Sequence, residues 1–361
     1  MAELSSQDYL NQGKKAFEGR DFQEAHRLFS LAIFQMEENK GELGLPETKV
    51  AEAYVLRASA LWRDDEAATF QDTDVFHQVL NDFEQALDMQ PRNAALLNLR
   101  GRLYMGCEFE DHRARAREDF QAALEILPDD LETLRNLAEV LARMESHEEA
   151  ADYLTKAIDL GNHDPELYLR RGVAFFKKRP PEFKAAAADF GQAENLAPEV
   201  DETYIWRAQC FQEMGEVRLA VEEYDKLISF SPKAEYLVDR GVIKLELSED
   251  EALADFDEAL ELEPHPLAYN NRAGLLRMRG ELEEAEQDAK EALRIAPEYT
   301  VAQATLAEIY ADMGDRSQML HHLDIALDTY YDDVVDVMSE PAFAPYLNDP
   351  GFLALIQKSR N

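Results

Sequence analysis

The feature that most restricts this chain is an internal period. Asp201 to Pro232 reads DETYIWRAQCFQEMGEVRLAVEEYDKLISFSP, and Pro266 to Pro297 reads PLAYNNRAGLLRMRGELEEAEQDAKEALRIAP. Both segments carry Arg-Ala in a first stretch (Arg207-Ala208, Arg272-Ala273) and a Gly seven residues later (Gly215, Gly280). Both then open a second stretch with Ala (Ala220, Ala285) and end on Pro (Pro232, Pro297). Apolar residues at helical spacing on either side of a Gly specify two amphipathic helices and a turn.

Sliding this unit along the chain registers nine copies. The small residues of their first helices (helix A) are Gly13, Ala58, Gly101, Ala138, Gly172, Ala208, Gly241, Ala273 and Ala307. The second helices (helix B) carry Phe29/Ala32, Phe83/Ala86, Phe120/Ala123, Leu154/Ala157, Phe190/Ala193, Tyr224/Leu227, Phe256/Ala259, Ala289/Ala292 and Leu323/Ala326. Pro91, Pro128, Pro198, Pro232, Pro264 and Pro297 stop six of them, because Pro cannot continue a helix. Small residues let the two helices approach, and the aromatic fills the space beside them.

This unit resembles the tetratricopeptide repeat, a helix–turn–helix of about 34 residues. The resemblance implies an all-α fold, a right-handed α-solenoid (superhelix) of nine units. The array is expected over 1–332, with a capping segment over 333–361. Departures fall mainly between helices A and B: about nine extra residues within 63–74, three near 106–112, two at 179–181, and one missing in the seventh unit. Turns of a solenoid tolerate such changes. Val334–Ile356 abandons the period and resembles the short segment that closes many bacterial repeat arrays. Phe343, Leu347, Phe352 and Leu355 are expected to cover the last core face.

Charge narrows the partners. The chain has 361 residues, with 74 Asp and Glu against 37 Lys and Arg, a net charge of −37. That balance argues against nucleic acid and against an anionic membrane, which are both polyanions. The start lacks a basic stretch followed by an apolar one, and no apolar run nears the ~18 residues of a membrane helix. Cys107 and Cys210 lie three repeats apart, too far to bridge, and read as free thiols; a cytoplasmic location is expected.

The charges carry a second regularity. Arg precedes the small helix-A residue in six units: Arg57, Arg100, Arg171, Arg207, Arg240 and Arg272. In the same six an acid precedes the helix-B aromatic or its substitute: Asp82, Asp119, Asp189, Glu223, Asp255 and Asp288. The other three units lack both partners. Six bidentate, partly buried ion pairs are therefore predicted, each joining helices A and B of one repeat.

In the tetratricopeptide family the first helices line a concave groove. Helical spacing assigns to it the residues six, three and two before the small residue and one, four and five after it. In repeats three to five these include Arg102, Arg135, Arg143, Arg170 and Lys177 against Glu132, Glu139 and Glu166, with Asn98, Asn136 and Phe176 among them. Five cations less three anions leave +2 in a chain of −37. In repeats six and seven the stripe holds Glu202, Glu213, Glu235, Asp239 and Glu246 beside Trp206, with no cation. The groove is expected to hold an acidic segment or chain terminus at its cationic middle, with Trp62, Phe176 and Trp206 as apolar anchors. The alternative is a solvated groove whose arginines neutralise neighbouring glutamates.

The best-known ligand of related arrays is the carboxy-terminal tail of large heat-shock chaperones, held by a Lys and an Asn, a second Asn, then a Lys and an Arg. Asn136 and Arg170 match. Asn98, Arg102 and Glu166 do not, and Glu166 reverses a charge, which argues against that tail.

No GxGxxG, P-loop, HExxH or CxxC pattern occurs. Asp332, Asp333 and Asp336 spell DDxxD, more simply a polar face of the closing segment than a Mg²⁺ site. Adjacent His321 and His322 point to different helix faces. The sequence thus reads as a non-catalytic scaffold or adaptor, without cofactor or metal, monomeric or weakly self-associating. The alternatives are a self-assembling platform or co-chaperone and, more distantly, an enzyme with a cryptic site.

Overall fold

The computed structural model of the chain describes residues 4–38, 46–64, 73–106, 110–161, 163–329 and 334–359, and among these the regular structure is entirely helical. Eighteen helices form nine consecutive pairs: α1 Ser6–Glu18 with α2 Phe22–Glu38, α3 Glu47–Asp64 with α4 Thr73–Met89, and α5 Ala94–Met105 with α6 Glu110–Ile126. Next come α7 Leu131–Arg143 with α8 His147–Asp159, α9 Pro165–Lys177 with α10 Phe183–Leu196, and α11 Asp201–Glu213 with α12 Val217–Phe230. The last are α13 Ala234–Lys244 with α14 Glu249–Leu262, α15 Pro266–Met278 with α16 Leu282–Ile295, and α17 Val301–Met313 with α18 Arg316–Thr329. The chain is an all-α solenoid of stacked helix pairs.

Local chemistry sets the helix ends. Pro165 and Pro266 occupy first turns, where a missing N–H costs nothing. Asp130 accepts from the Thr133 N–H and Asp164 from the Glu166 N–H, satisfying amides that the helix leaves open. In five repeats the turn between helices A and B places a left-handed residue seven positions after the small one. Gly215, Gly280 and Gly314 supply it with φ of 72°, 79° and 77°; Arg20 and Glu145 take the same place at φ 60°.

The close approach of helices A and B explains the small residues. Phe29, Phe83, Phe120, Phe190 and Phe256 are fully buried. A Cβ on Gly101 would lie 2.7 Å from the Phe120 ring, and one on Gly241 would lie 2.6 Å from the Phe256 ring. These glycines are seats for the aromatic rings.

The chain divides into two compact units, 1–189 and 190–361, with the boundary inside α10. The first unit is built on two buried clusters, one centred on Phe29 and Tyr54 and the other on Phe83, Phe120 and Leu137. In the second unit the closing segment is part of the core. It comprises α19 Val334–Ser339, a 3₁₀ turn Pro341–Tyr346 and α20 Pro350–Ser359. Phe343 and Phe352 are fully buried against α17 and α18, with Leu347 and Leu355 packed beside them, as the sequence predicts.

Several expectations fall elsewhere. Cys107, Asp332, Asp333 and most of the 63–74 insertion lie outside the described residues. Cys210 is free and buried, and burial pushes its thiol up to about 12, so it stays protonated. Among the described residues there is no cluster of His, Cys, Asp and Glu suited to a metal, and no helix long and apolar enough to cross a membrane.

Candidate functional site

All six predicted ion pairs are present. Arg57 donates to Asp82 at 2.8 and 2.7 Å, Arg100 to Asp119 at 2.8 and 2.7 Å, and Arg171 to Asp189 at 2.7 Å twice. Arg240 donates to Asp255 at 2.9 and 2.7 Å, and Arg272 to Asp288 at 2.6 and 2.9 Å. Arg207 sends both Nε and Nη2 to one oxygen of Glu223. The carboxylates are buried, and burial pushes the Asp119 carboxyl up against the opposing pull of Arg100.

The third guanidinium nitrogen makes a further link, between repeats. Arg240 Nη1 reaches Asp225 at 2.7 Å, Arg272 Nη1 reaches Asp257 at 2.7 Å, and Arg207 Nη1 reaches Glu194 at 2.5 Å. Each of these acids sits on helix B of the preceding repeat, so one Arg joins three helices. Asp225 and Asp257 each stand two residues before the small helix-B position, a signal present in the sequence.

With the helices fixed this way, α5, α7 and α9 present one cleft. Arg102, Leu131, Glu132, Arg135, Asn136, Glu139 and Arg170 line a concavity of about 450 Å³. Three cations face two carboxylates. Arg102 donates to Glu132 at 3.0 Å and Arg135 to Asp164 at 3.0 Å. Arg170 joins Glu166 at 2.6 Å and Glu139 at 2.9 Å. Burial works against the Arg170 charge, but these hydrogen bonds raise its pKa. Arg143 stands at the margin, on Glu139 at 2.6 Å and the Met105 carbonyl at 3.0 Å. Arg102 also lies 5.9 Å from the centre of the Trp62 ring, in an adjoining pocket of about 230 Å³ with Ser59, Arg63 and Leu99. Exposed pairs of this kind are weak and exchangeable, so an incoming carboxylate can replace one partner at little cost.

Two site expectations need correction. Asn98 is buried, not displayed: its Nδ2 donates to Thr133 Oγ1 at 2.6 Å, and its Oδ1 accepts from Asn136 at 3.4 Å. The position three before the small residue faces helix A of the next repeat, as Asn270 also shows by accepting from Thr305 Oγ1 at 2.9 Å. Arg135 escapes only because its side chain is long enough to reach solvent. Phe176 and Lys177 are not in the cleft; they border a different concavity with His147 and Arg179, where Phe176 packs edge-on against Phe183 at 5.2 Å. Trp206, expected in the stripe of repeat six, stacks on Phe190 at 6.3 Å with its Nε1 donating to Glu202 at 3.0 Å.

Comparison with known proteins agrees with this architecture. A family profile described as a tetratricopeptide repeat matches residues 110–165 and 250–300. A TPR repeat-containing thioredoxin of Arabidopsis thaliana is 40% identical over 77 residues, 21% of this chain and 11% of that protein. Hsp70-Hsp90 organizing protein 3 of Arabidopsis thaliana is 25% identical over 233 residues, 60% of this chain and 38% of that protein. The chain therefore spans well under half the length of either relative. Among solved structures, the C-terminal part of a TPR repeat-containing protein from Cytophaga hutchinsonii superimposes with a TM-score of 0.51 at 17% identity, covering 82% of this chain and 99% of that one.

Proposed function

From the premise that this chain is a tetratricopeptide repeat protein, we propose that it is a non-catalytic adaptor whose cleft on α5, α7 and α9 captures an extended acidic segment, or a chain terminus, of a partner protein. The observation that carries this reading is the convergence of three arginines, each held only by exchangeable pairs, on one concavity. Arg102, Arg135 and Arg170 converge with Asn136 on one concavity in a molecule of net charge −37. Guanidinium groups take carboxylates bidentately, and Asn136 offers an amide to a peptide backbone. The adjoining Trp62 pocket takes an apolar side chain of the same segment.

The relative named for organising Hsp70 and Hsp90 supports a protein partner. The heat-shock tail itself is disfavoured: Glu166 stands where that ligand needs a cation, and it is already paired with Arg170. The test is a quantitative pull-down from a lysate with wild type and with Arg135→Glu/Arg170→Glu. Partners that depend on the cleft should be depleted by the double variant. Identical recovery with both proteins rejects the cleft as the site.

A further inference from the structure

The second unit carries a surface of opposite character. Val242, Leu245, Leu247 and Met278 are 42, 39, 43 and 62% exposed. Single exposed apolar residues mean little, but these four belong to two adjoining repeats. Val242 lies three residues before Leu245, on the same face of α13 and the turn that follows it. Leu247 is in that turn, and Met278 ends α15, which packs against α13. The turns of the two repeats are held side by side by Arg279, which donates to Asp250 at 2.5 Å.

The rim is acidic, and its cations are occupied. Lys244 is held by Asp255 at 3.0 Å, and Arg279 by Asp250. Arg277 is enclosed by Glu308, Asp312 and Glu340 at 3.0, 3.1 and 3.5 Å. Glu246, Glu249, Glu251 and Glu281 are exposed along the same turns. A partner whose apolar face is flanked by acids meets repulsion here; one flanked by Lys or Arg meets attraction.

We propose that this surface on repeats seven and eight is a second docking site, and that it takes a cationic amphipathic helix of a partner. The dimensions favour a helix. Neighbouring helices of a stack lie about 8–10 Å apart, and apolar residues seven positions apart on an α-helix are separated by about 10.5 Å. One apolar side chain of the ligand meets Leu245 and Val242, the other meets Met278, and Lys or Arg on either flank faces the glutamates. The site does not depend on the arginine cleft, whose ligand has the opposite charge.

The test is fluorescence anisotropy with a labelled four-turn Leu/Lys amphipathic helix, a scrambled peptide of the same composition, and a Leu/Glu counterpart. The Leu/Lys helix should bind, the scrambled peptide more weakly, and the Leu/Glu helix not at all. Leu245→Ser/Met278→Ser should weaken the Leu/Lys helix about tenfold, while Arg135→Glu/Arg170→Glu leaves it unchanged. Thermal unfolding controls for folding, and Glu246→Lys/Glu281→Lys, fully surface changes, should also lower affinity. Equal binding of the helix and its scrambled form, or no loss in Leu245→Ser/Met278→Ser, overturns the proposal and leaves only non-specific attraction to an acidic protein.

Discussion

Arg100 and Asp119 meet through two parallel hydrogen bonds, Nε to Oδ2 at 2.8 Å and Nη2 to Oδ1 at 2.7 Å, with the carboxylate side chain only 6% exposed. This is how helix A is keyed to helix B in its own repeat. Removing one partner strands a buried charge, so Asp119→Ala should lower the unfolding free energy by about 3 kcal/mol. By contrast Glu132→Ala, which breaks the exposed pair with Arg102, should change it by about 0.5 kcal/mol or less. Urea denaturation of the two variants checks the contrast, and equal losses would contradict it.

Glycine has two different jobs in helix A. Gly101 receives the Phe120 ring, and its Cβ would meet that ring at 2.7 Å, so Gly101→Ala should destabilise by about 1–3 kcal/mol through overpacking. Gly274 has open space around it within α15, so Gly274→Ala should stabilise by about 0.5–1 kcal/mol through helix propensity. Opposite signs are expected in the same thermal unfolding assay.

Glu145 occupies the left-handed turn position at φ 60° that Gly215, Gly280 and Gly314 hold elsewhere. Because a Cβ is strained there, Glu145→Gly should stabilise by about 0.5–1 kcal/mol after allowing for the greater freedom of Gly in the unfolded chain. A drop in melting temperature for Glu145→Gly would refute the assignment of strain to this residue.

His322 is half-buried, stacked on Tyr310 at 5.4 Å, with its Nδ1 2.7 Å from Gln303 Oε1. Burial first, then neighbouring His321 and Lys290, lower its pKa from 6.5 to about 4. Between those values the unfolded chain binds a proton that the folded one does not, so stability should fall as pH drops from 6.5 toward 4. His322→Phe should flatten the dependence of melting temperature on pH in that window. An unchanged slope would show that other groups account for it.

Much of this was legible in the sequence because one period governs it. The alignment that places Gly101 opposite Phe120 also places Arg100 opposite Asp119, so pairing within a repeat could be read directly. Contacts between repeats were less legible. Helical spacing places Asn98 in the groove, but its neighbour is Thr133 on the next helix A, and the stacking of repeats decides whether that position is covered. The link from Arg272 to Asp257 escaped for the same reason. Phe176 and Lys177 lie at the end of α9, and their position follows the path of the turn after it, which a pattern of helix faces does not encode.

The arginine cleft is the centre of the functional account, and a direct titration tests it. An acidic peptide of Glu and Asp with a free carboxyl terminus is titrated calorimetrically into wild type, Arg135→Glu/Arg170→Glu and Arg316→Gln. The last removes an arginine of the second unit that is paired with Asp349. Wild type and Arg316→Gln should bind alike, and the double variant at least about tenfold more weakly, the equivalent of about 1.4 kcal/mol. Equal affinity for all three proteins, or no binding to wild type, would contradict the account.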